Sequence, residues 1–141
     1  MAELQGRVLK NYNGYYYLKV EGESEPYTCK VKGKMKKNRF SLATGDIACF
    51  EVSSSEKREG MITGVLPRRN FLPRPTLANL DLFVAAFACA APDFSFLLAD
   101  KLLALAELAK IPAILVLNKE DNAPAGLIER VKAVYEPIGY E

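Results

Sequence analysis

Along residues 4–66 the apolar positions come in short bursts, each cut off by turn-forming residues. "GRVLK" and "YYYLKV" flank "NYNG", where Asn13-Gly14 is a strong hairpin signal. "EGESE" separates Val20 from "YTCKVK" and predicts a second hairpin. "GDIACFEV" and "GMITGVL" predict two more strands on either side of the polar "SSSEKRE". Five strands without a long helix predict a small barrel of the OB type. An SH3-like barrel has nearly the same pattern.

The pattern changes after residue 67. "PRRNFLPRP" holds three prolines and three arginines. Proline restricts itself and the residue before it to extended backbone, so the stretch predicts a stiff linker. "LDLFVAAFACA" is a continuous apolar run of buried-strand type. "SFLLADKLLALAELAK" has helical spacing, with Leu97, Leu98, Leu102, Leu105 and Leu108 near one face. "IPAILVL" predicts a second buried strand and "GLIERVKAVYEPI" a second amphipathic helix. Strand–helix–strand–helix implies a parallel α/β sheet. The expected organisation is a barrel over 1–67, a linker over 68–77 and an α/β segment over 78–141.

Charge sharpens the division. Residues 1–75 carry 14 Lys and Arg against 8 Asp and Glu, a balance of +6, and residues 76–141 carry 5 against 9, a balance of −4. A basic first module implies a polyanionic partner. The chain has no histidine, which removes His-based triads and imidazole metal sites within it. Its three cysteines, Cys29, Cys49 and Cys89, form no C-x-x-C pair, fit a reducing cytoplasm and read as small core residues. The N-terminus lacks the apolar region of a signal peptide. The longest apolar run, residues 82–91, is too short to span a bilayer.

The second apolar strand ends in "NKED", residues 118–121. In parallel α/β sheets, ligands bind beyond the carboxyl ends of strands. The spacing N-K-x-D suits guanine. Asp121 can accept from both N1–H and the exocyclic amine, a donor pair that adenine lacks. Asn118 can donate to the base edge and brace neighbouring loops, and the stem of Lys119 can lie along the base. The bland alternative is a polar loop after a strand. A GTPase of ordinary order would place G-x-x-x-x-G-K-[ST] before this motif, and residues 1–118 contain none. Either the motif is accidental, or the domain is circularly permuted with its phosphate loop beyond this chain.

The first module has its own candidate surface. Lys30, Lys32, Lys34, Lys36, Lys37 and Arg39 fall within ten residues without an acid. OB barrels bind nucleic acid with a strand face and its adjacent loops, so these six are the expected RNA contacts. The alternative is a solvated charge run. Tyr12, Tyr15, Tyr16, Tyr17 and Tyr27 lie nearby. Alternation puts Tyr16 on the face opposite Tyr15 and Tyr17, so one set belongs to the core. Asp46 follows Gly45 ahead of a strand and reads as a turn former rather than a catalytic acid.

Taken together the motifs resemble the bacterial ribosome small-subunit-dependent GTPase A family (RsgA, also called YjeQ). "GRVLKNYNGYYYLKV" and "YTCKVKGKMKK" resemble its first OB strands. "TGDIACFE" resembles its G-D turn through Gly45 and Asp46. "ITGVLPRRNFLPRPTLANLD" resembles its linker, including Arg68, Arg69, Arg74, Pro75, Ala78, Asn79 and Asp81. "NKED" resembles its guanine-specificity motif. The resemblance covers essentially all 141 residues. It implies an all-β OB barrel followed by part of a circularly permuted, P-loop GTPase-like α/β domain. It implies GTP hydrolysis with Mg²⁺ by the full-length protein, in late maturation of the small (30S) ribosomal subunit, in the cytoplasm. The partners implied are that subunit, its rRNA and guanine nucleotide, with no membrane and no DNA. Family members also carry a zinc-binding C-terminal domain, absent from this chain, as are the phosphate loop and the switch motifs. Three expectations follow. The chain holds no catalytic residue and no metal ligand, reads guanine with Asn118, Lys119 and Asp121, and is inactive alone. The competing reading is a non-enzymatic RNA-binding OB module with a truncated α/β appendage, and a third is an interaction protein whose "NKED" is only a loop.

Overall fold

A computed structural model describes residues 3–33 and 41–141, which fall into two compact units, Met1–Leu80 and Asp81–Glu141.

The first unit is built from β1 (Glu3–Tyr12), β2 (Tyr15–Lys19), β3 (Tyr27–Val31), β4 (Ile47–Ser54) and β5 (Glu59–Val65). They close a barrel in the order β1-β2-β3-β5-β4, with β4 returning to β1. All pairings are antiparallel except β3 with β5. This settles the OB expectation. Asn13 and Gly14 both take positive φ, 51° and 79°, as the tight turn joining two right-twisted strands requires. Inward positions fill the barrel with Val8, Tyr16, Leu18, Tyr27, Cys29, Ala48, Phe50 and Ile62. Tyr16 is therefore the core tyrosine of β2, and Tyr15 and Tyr17 point outward, as alternation predicts.

The expected linker is part of this unit. Residues 71–78 form a short hairpin, β6 (Phe71–Leu72) with β7 (Leu77–Ala78), and both Leu72 and Ala78 are buried. Two polar clusters hold it. Asp46, with 0% of its surface exposed, accepts from Ala43 N (2.7 Å) and takes the Arg68 guanidinium on both oxygens (2.8 Å each). That pairing outweighs Arg68's own desolvation, which acts the other way, and raises the arginine's pKa. Asn79 accepts from Arg69 N (2.8 Å) and donates to Gly45 O (2.9 Å). Hydrogen bonds of Arg68, Arg69 and Asn70 tie the "PRRNFLPRP" stretch into the unit rather than leaving it as a spacer. Asp46 does more than shape a turn, because burial of its carboxylate demands a cationic partner.

The second unit comprises β8 (Phe83–Ala88), α1 (Phe96–Leu108), β9 (Ala113–Asn118), a 3-10 turn (Glu120–Asn122), α2 (Leu127–Tyr135) and a final 3-10 turn (Glu136–Ile138). The strands pair in parallel, Phe83 with Ala113 through Ala88 with Asn118. Ser95 caps α1, its hydroxyl accepting from Leu98 N (3.1 Å). The core unites Ala99 and Leu103 of α1, Leu127, Val131 and Tyr135 of α2, and Cys89 with Leu115 and Leu117.

Two expectations fail here. The buried stripe of α1 is Ala99, Leu103 and Ala106, whereas Leu97, Leu98 and Leu108 are exposed, the last at 83%. Small side chains let the helix backbone approach its neighbours closely, so Leu97, Leu98 and Leu108 turn away while Leu102 and Leu105 stay half-buried. Nor is β8 buried on both faces: Ala85 is covered, but Val84 is 52% exposed. A two-stranded sheet with its helices packed over Phe87, Cys89, Leu115 and Leu117 leaves the alternate positions open.

Candidate functional site

The "NKED" residues occupy the carboxyl end of β9. Asn118 is its last residue and pairs with Ala88, while Cys89 N donates to Asn118 O (2.9 Å). The chain then leaves the sheet through Lys119, which is left-handed at φ 61°. A non-glycine residue in that region needs local support. Asn118 supplies it, its side-chain oxygen accepting from Lys119 N (2.9 Å). The Lys119 ammonium reaches across to the loop after β8 and donates to Ala91 O (3.1 Å). Asp121 follows in the 3-10 turn, exposed, and its carboxylate has no hydrogen-bond or ion-pair partner among the described residues. The three side chains thus share one strand end, with a pair of acceptors left open to solvent. The Ala91 carbonyl belongs to the same corner and carries no sequence signal, since a main-chain oxygen can come from any residue type.

The basic run divides. Lys34, Lys36, Lys37 and Arg39 lie outside the described residues. Lys30 lies on β3 and Lys32 just beyond it. The Lys30 ammonium stands 4.9 Å from the centre of the Tyr15 ring. On the same side of the barrel, Lys10 stands 4.7 Å from the centre of Tyr17. Lys10 was not among the expected contacts. Its place is set by a bulge between Val8 and Lys10 in the β1–β2 pairing, which brings Lys10 opposite Tyr17, and a register shift of this kind leaves little trace in sequence.

No group of three or more His, Cys, Asp or Glu suited to a metal occurs among the described residues, and no helix among them is long and apolar enough to cross a membrane. Cys29 and Cys89 are core residues as expected, but Cys49 is only half-buried, because on β4 the inward positions are its neighbours Ala48 and Phe50. Cys29 is buried in the barrel core, and that desolvation pushes its thiol up to about 12.

Residues 5–62 match the family described as RsgA N-terminal domain, and residues 65–141 match the family described as RsgA GTPase. Among similar proteins is the small ribosomal subunit biogenesis GTPase RsgA of Agathobacter rectalis, 34% identical over 146 residues, covering 97% of this chain and 48% of that protein. The protein of the same name from Caldanaerobacter subterraneus subsp. tengcongensis is 37% identical over 141 residues, covering 100% and 46%. Two crystal structures superpose closely. YloQ, a circularly permuted GTPase, gives a TM-score of 0.83 at 29% identity, over 99% of this chain and 50% of that one. YjeQ from Thermotoga maritima gives 0.84 at 26%, over 99% and 50%. The chain spans about half the length of the relatives it matches. With both of its units matched in order, the chain belongs to the RsgA GTPase family.

Proposed function

We propose that this chain is the RNA-facing and base-reading portion of a GTPase of small-subunit biogenesis. In that reading it acts in the cytoplasm during late maturation of the 30S subunit. The barrel binds rRNA, and the end of β9 selects guanine. Hydrolysis of GTP to GDP and phosphate, with Mg²⁺, belongs to a polypeptide that also holds a phosphate-binding loop. Transition-state charge is stabilised by that loop, its lysine and the metal, and the 141 residues contain no G-x-x-x-x-G-K-[ST] sequence. Alone, the chain binds the base and turns over no GTP.

The observation that carries this reading is the strand end itself. Asn118, Lys119 and Asp121 stand together beyond a parallel strand, and the carboxylate is exposed and unpartnered among the described residues. A chance polar loop has no reason to brace Lys119 from both sides, through Asn118 Oδ1 and Ala91 O. The test is a titration of the isotope-labelled chain with GDP, XDP and ADP, following the amides of residues 118–122 and 89–91. GDP should move them and ADP should not. In Asp121→Asn an NH₂ donor faces the guanine amine, and an unpaired donor costs about 1–3 kcal/mol. GDP affinity should fall about tenfold, and XDP, with a carbonyl in place of that amine, should bind the variant better than GDP does. Equal responses to GDP and ADP, in parent and variant alike, would leave a non-enzymatic RNA-binding module as the better description.

A further inference from the structure

We propose that the outer face of β1–β3 is a stacking platform for unpaired RNA bases, on which Lys10 and Lys30 exchange the rings of Tyr17 and Tyr15 for phosphates as bases arrive. The inference rests on the barrel's RNA-binding role and adds the kind of RNA and the residues that read it.

Strand pairing sets the platform out in two rungs. Lys10 pairs with Tyr17, and Tyr17 with Thr28. The neighbouring rung pairs Tyr12 with Tyr15, with the Lys30 ammonium over the Tyr15 ring. None of these tyrosines serves the barrel interior, which takes Tyr16 and Tyr27 instead. Tyr12 is 64% exposed and Tyr15 37%. Three outward aromatics on one strip need another reason to be there, since each leaves apolar ring surface in water.

The bulge after Val8 points the same way. Val8 and Leu18 face inward as a pair, so strict alternation would turn Lys10 inward too. The extra residue, Leu9, instead restores Lys10 to the outer face beside Tyr17. Bulges commonly re-aim a side chain in this manner. Acidic groups bound the strip at its other end: Glu59 pairs with Thr28 across β5, and Glu23 is bridged to Arg58. A phosphate backbone is therefore drawn to the Tyr12–Lys30 end.

Spacing decides between paired and unpaired RNA. Successive rungs on one face are two residues apart, about 6.8 Å along a strand. Stacked bases in a duplex rise about 3.4 Å. Bases seated on Tyr15 and Tyr17 must therefore be pulled off one another, which a loop or single strand permits and a helix does not. Exchange is favourable because an exposed cation–π contact is worth less than a base stacked on an aromatic ring, and the displaced lysine gains a phosphate.

The intact chain is titrated with labelled hexauridylate, with the abasic hexamer carrying the same phosphates, and with an RNA hairpin stem, all at one salt concentration. Hexauridylate should bind about tenfold more tightly than the abasic strand. Tyr15→Leu and Tyr17→Leu should each remove most of that difference and leave abasic binding unchanged, and Tyr15→Phe and Tyr17→Phe should preserve it. Repeated over a salt series, Lys10→Met and Lys30→Met should each flatten the salt dependence for both strands, by about 0.7 in the log–log slope for every phosphate no longer neutralised. Equal binding of the abasic strand, or leucine variants that behave as the parent does, would overturn the platform while leaving RNA binding intact. If none of the three RNAs binds, the platform falls together with the RNA-binding role beneath it.

Discussion

At the scale of single residues, the barrel unit depends on a small buried knot. Gly45 sits at φ 99°, and a Cβ there would run into the Ala78 carbonyl. One residue on, the enclosed Asp46 carboxylate is paired with the partly exposed Arg68 guanidinium, whose Cζ also lies 4.5 Å from the centre of the Phe71 ring. Removing one partner of a buried pair costs more than the pair contributes, because the remaining charge has no water to return to. Arg68→Ala should therefore destabilise the unit by about 3–5 kcal/mol. Arg68→Lys should recover only part of this, since an ammonium cannot span both carboxylate oxygens. Urea unfolding of the two variants, followed by the amide signals of β1 and β4, checks the order. Equal stability of Arg68→Ala and the parent would mean that the carboxylate finds other donors.

Between elements, phenol–carboxylate bonds tie α1 to the end of α2 and to the C-terminal residues beyond it. Tyr135 donates to Asp100 (2.8 Å), and Tyr140 donates to Glu107 (2.9 Å). Burial first, and the bond to Asp100 second, push Tyr135 up to about 12. Tyr140 is raised by the same kinds of cause, with Glu107 as its partner. An unfolded tyrosine titrates near 10. Between those values the folded chain keeps a proton that the unfolded chain has lost, so the contribution is complete below pH 10 and disappears as pH climbs towards 12. At about 1.36 kcal/mol per unit, Tyr135 accounts for a loss on the order of 2–3 kcal/mol. Buried Cys29 titrates in the same direction in the other unit, so the reporter must belong to the second. Both α-helices do. The helical circular-dichroism signal should show stability falling between pH 10 and 12 in the parent and a shallower fall in Tyr135→Phe. Parallel pH profiles in the two proteins would show that Tyr135 is not the source of the loss.

At the scale of the whole molecule, the division of the chain falls after Leu80 rather than at the proline-rich stretch. A polypeptide of residues 1–80 should fold cooperatively alone. One ending at Pro67 lacks Arg68, the buried Leu72 and Ala78, and the Asn79 bridge to Gly45. It should be less stable by about 3 kcal/mol or more, the cost of one uncompensated buried charge. Comparing the urea midpoints of the two polypeptides measures this, and identical midpoints would make the hairpin an ornament of the barrel.

Much of this architecture was legible in residue order, because some signals are local. Asn13-Gly14 announces its hairpin, since both positions need positive φ. Alternation set Tyr16 on the face opposite Tyr15 and Tyr17, leaving the structure to show that Tyr16 is the core residue, and the apolar run into Asn118 located the end of a parallel strand. Four of the six basic residues expected to meet RNA lie outside the described residues, and Lys10, which stands beside Tyr17, was not among the six. What stayed hidden depends on contacts between distant residues. Nothing near Asp46 says that its counter-ion waits 22 positions away, and nothing in the prolines says that their segment folds back. The leucines of α1 outweigh its alanines in any hydropathy pattern, yet Ala99 and Ala106 join Leu103 in the interface while Leu97, Leu98 and Leu108 stay outside, because packing against the rest of the unit decides which face fits. Local backbone chemistry can be read from a string of residues, whereas the choice of partners cannot, because each partner's burial is set by every other element that packs around it.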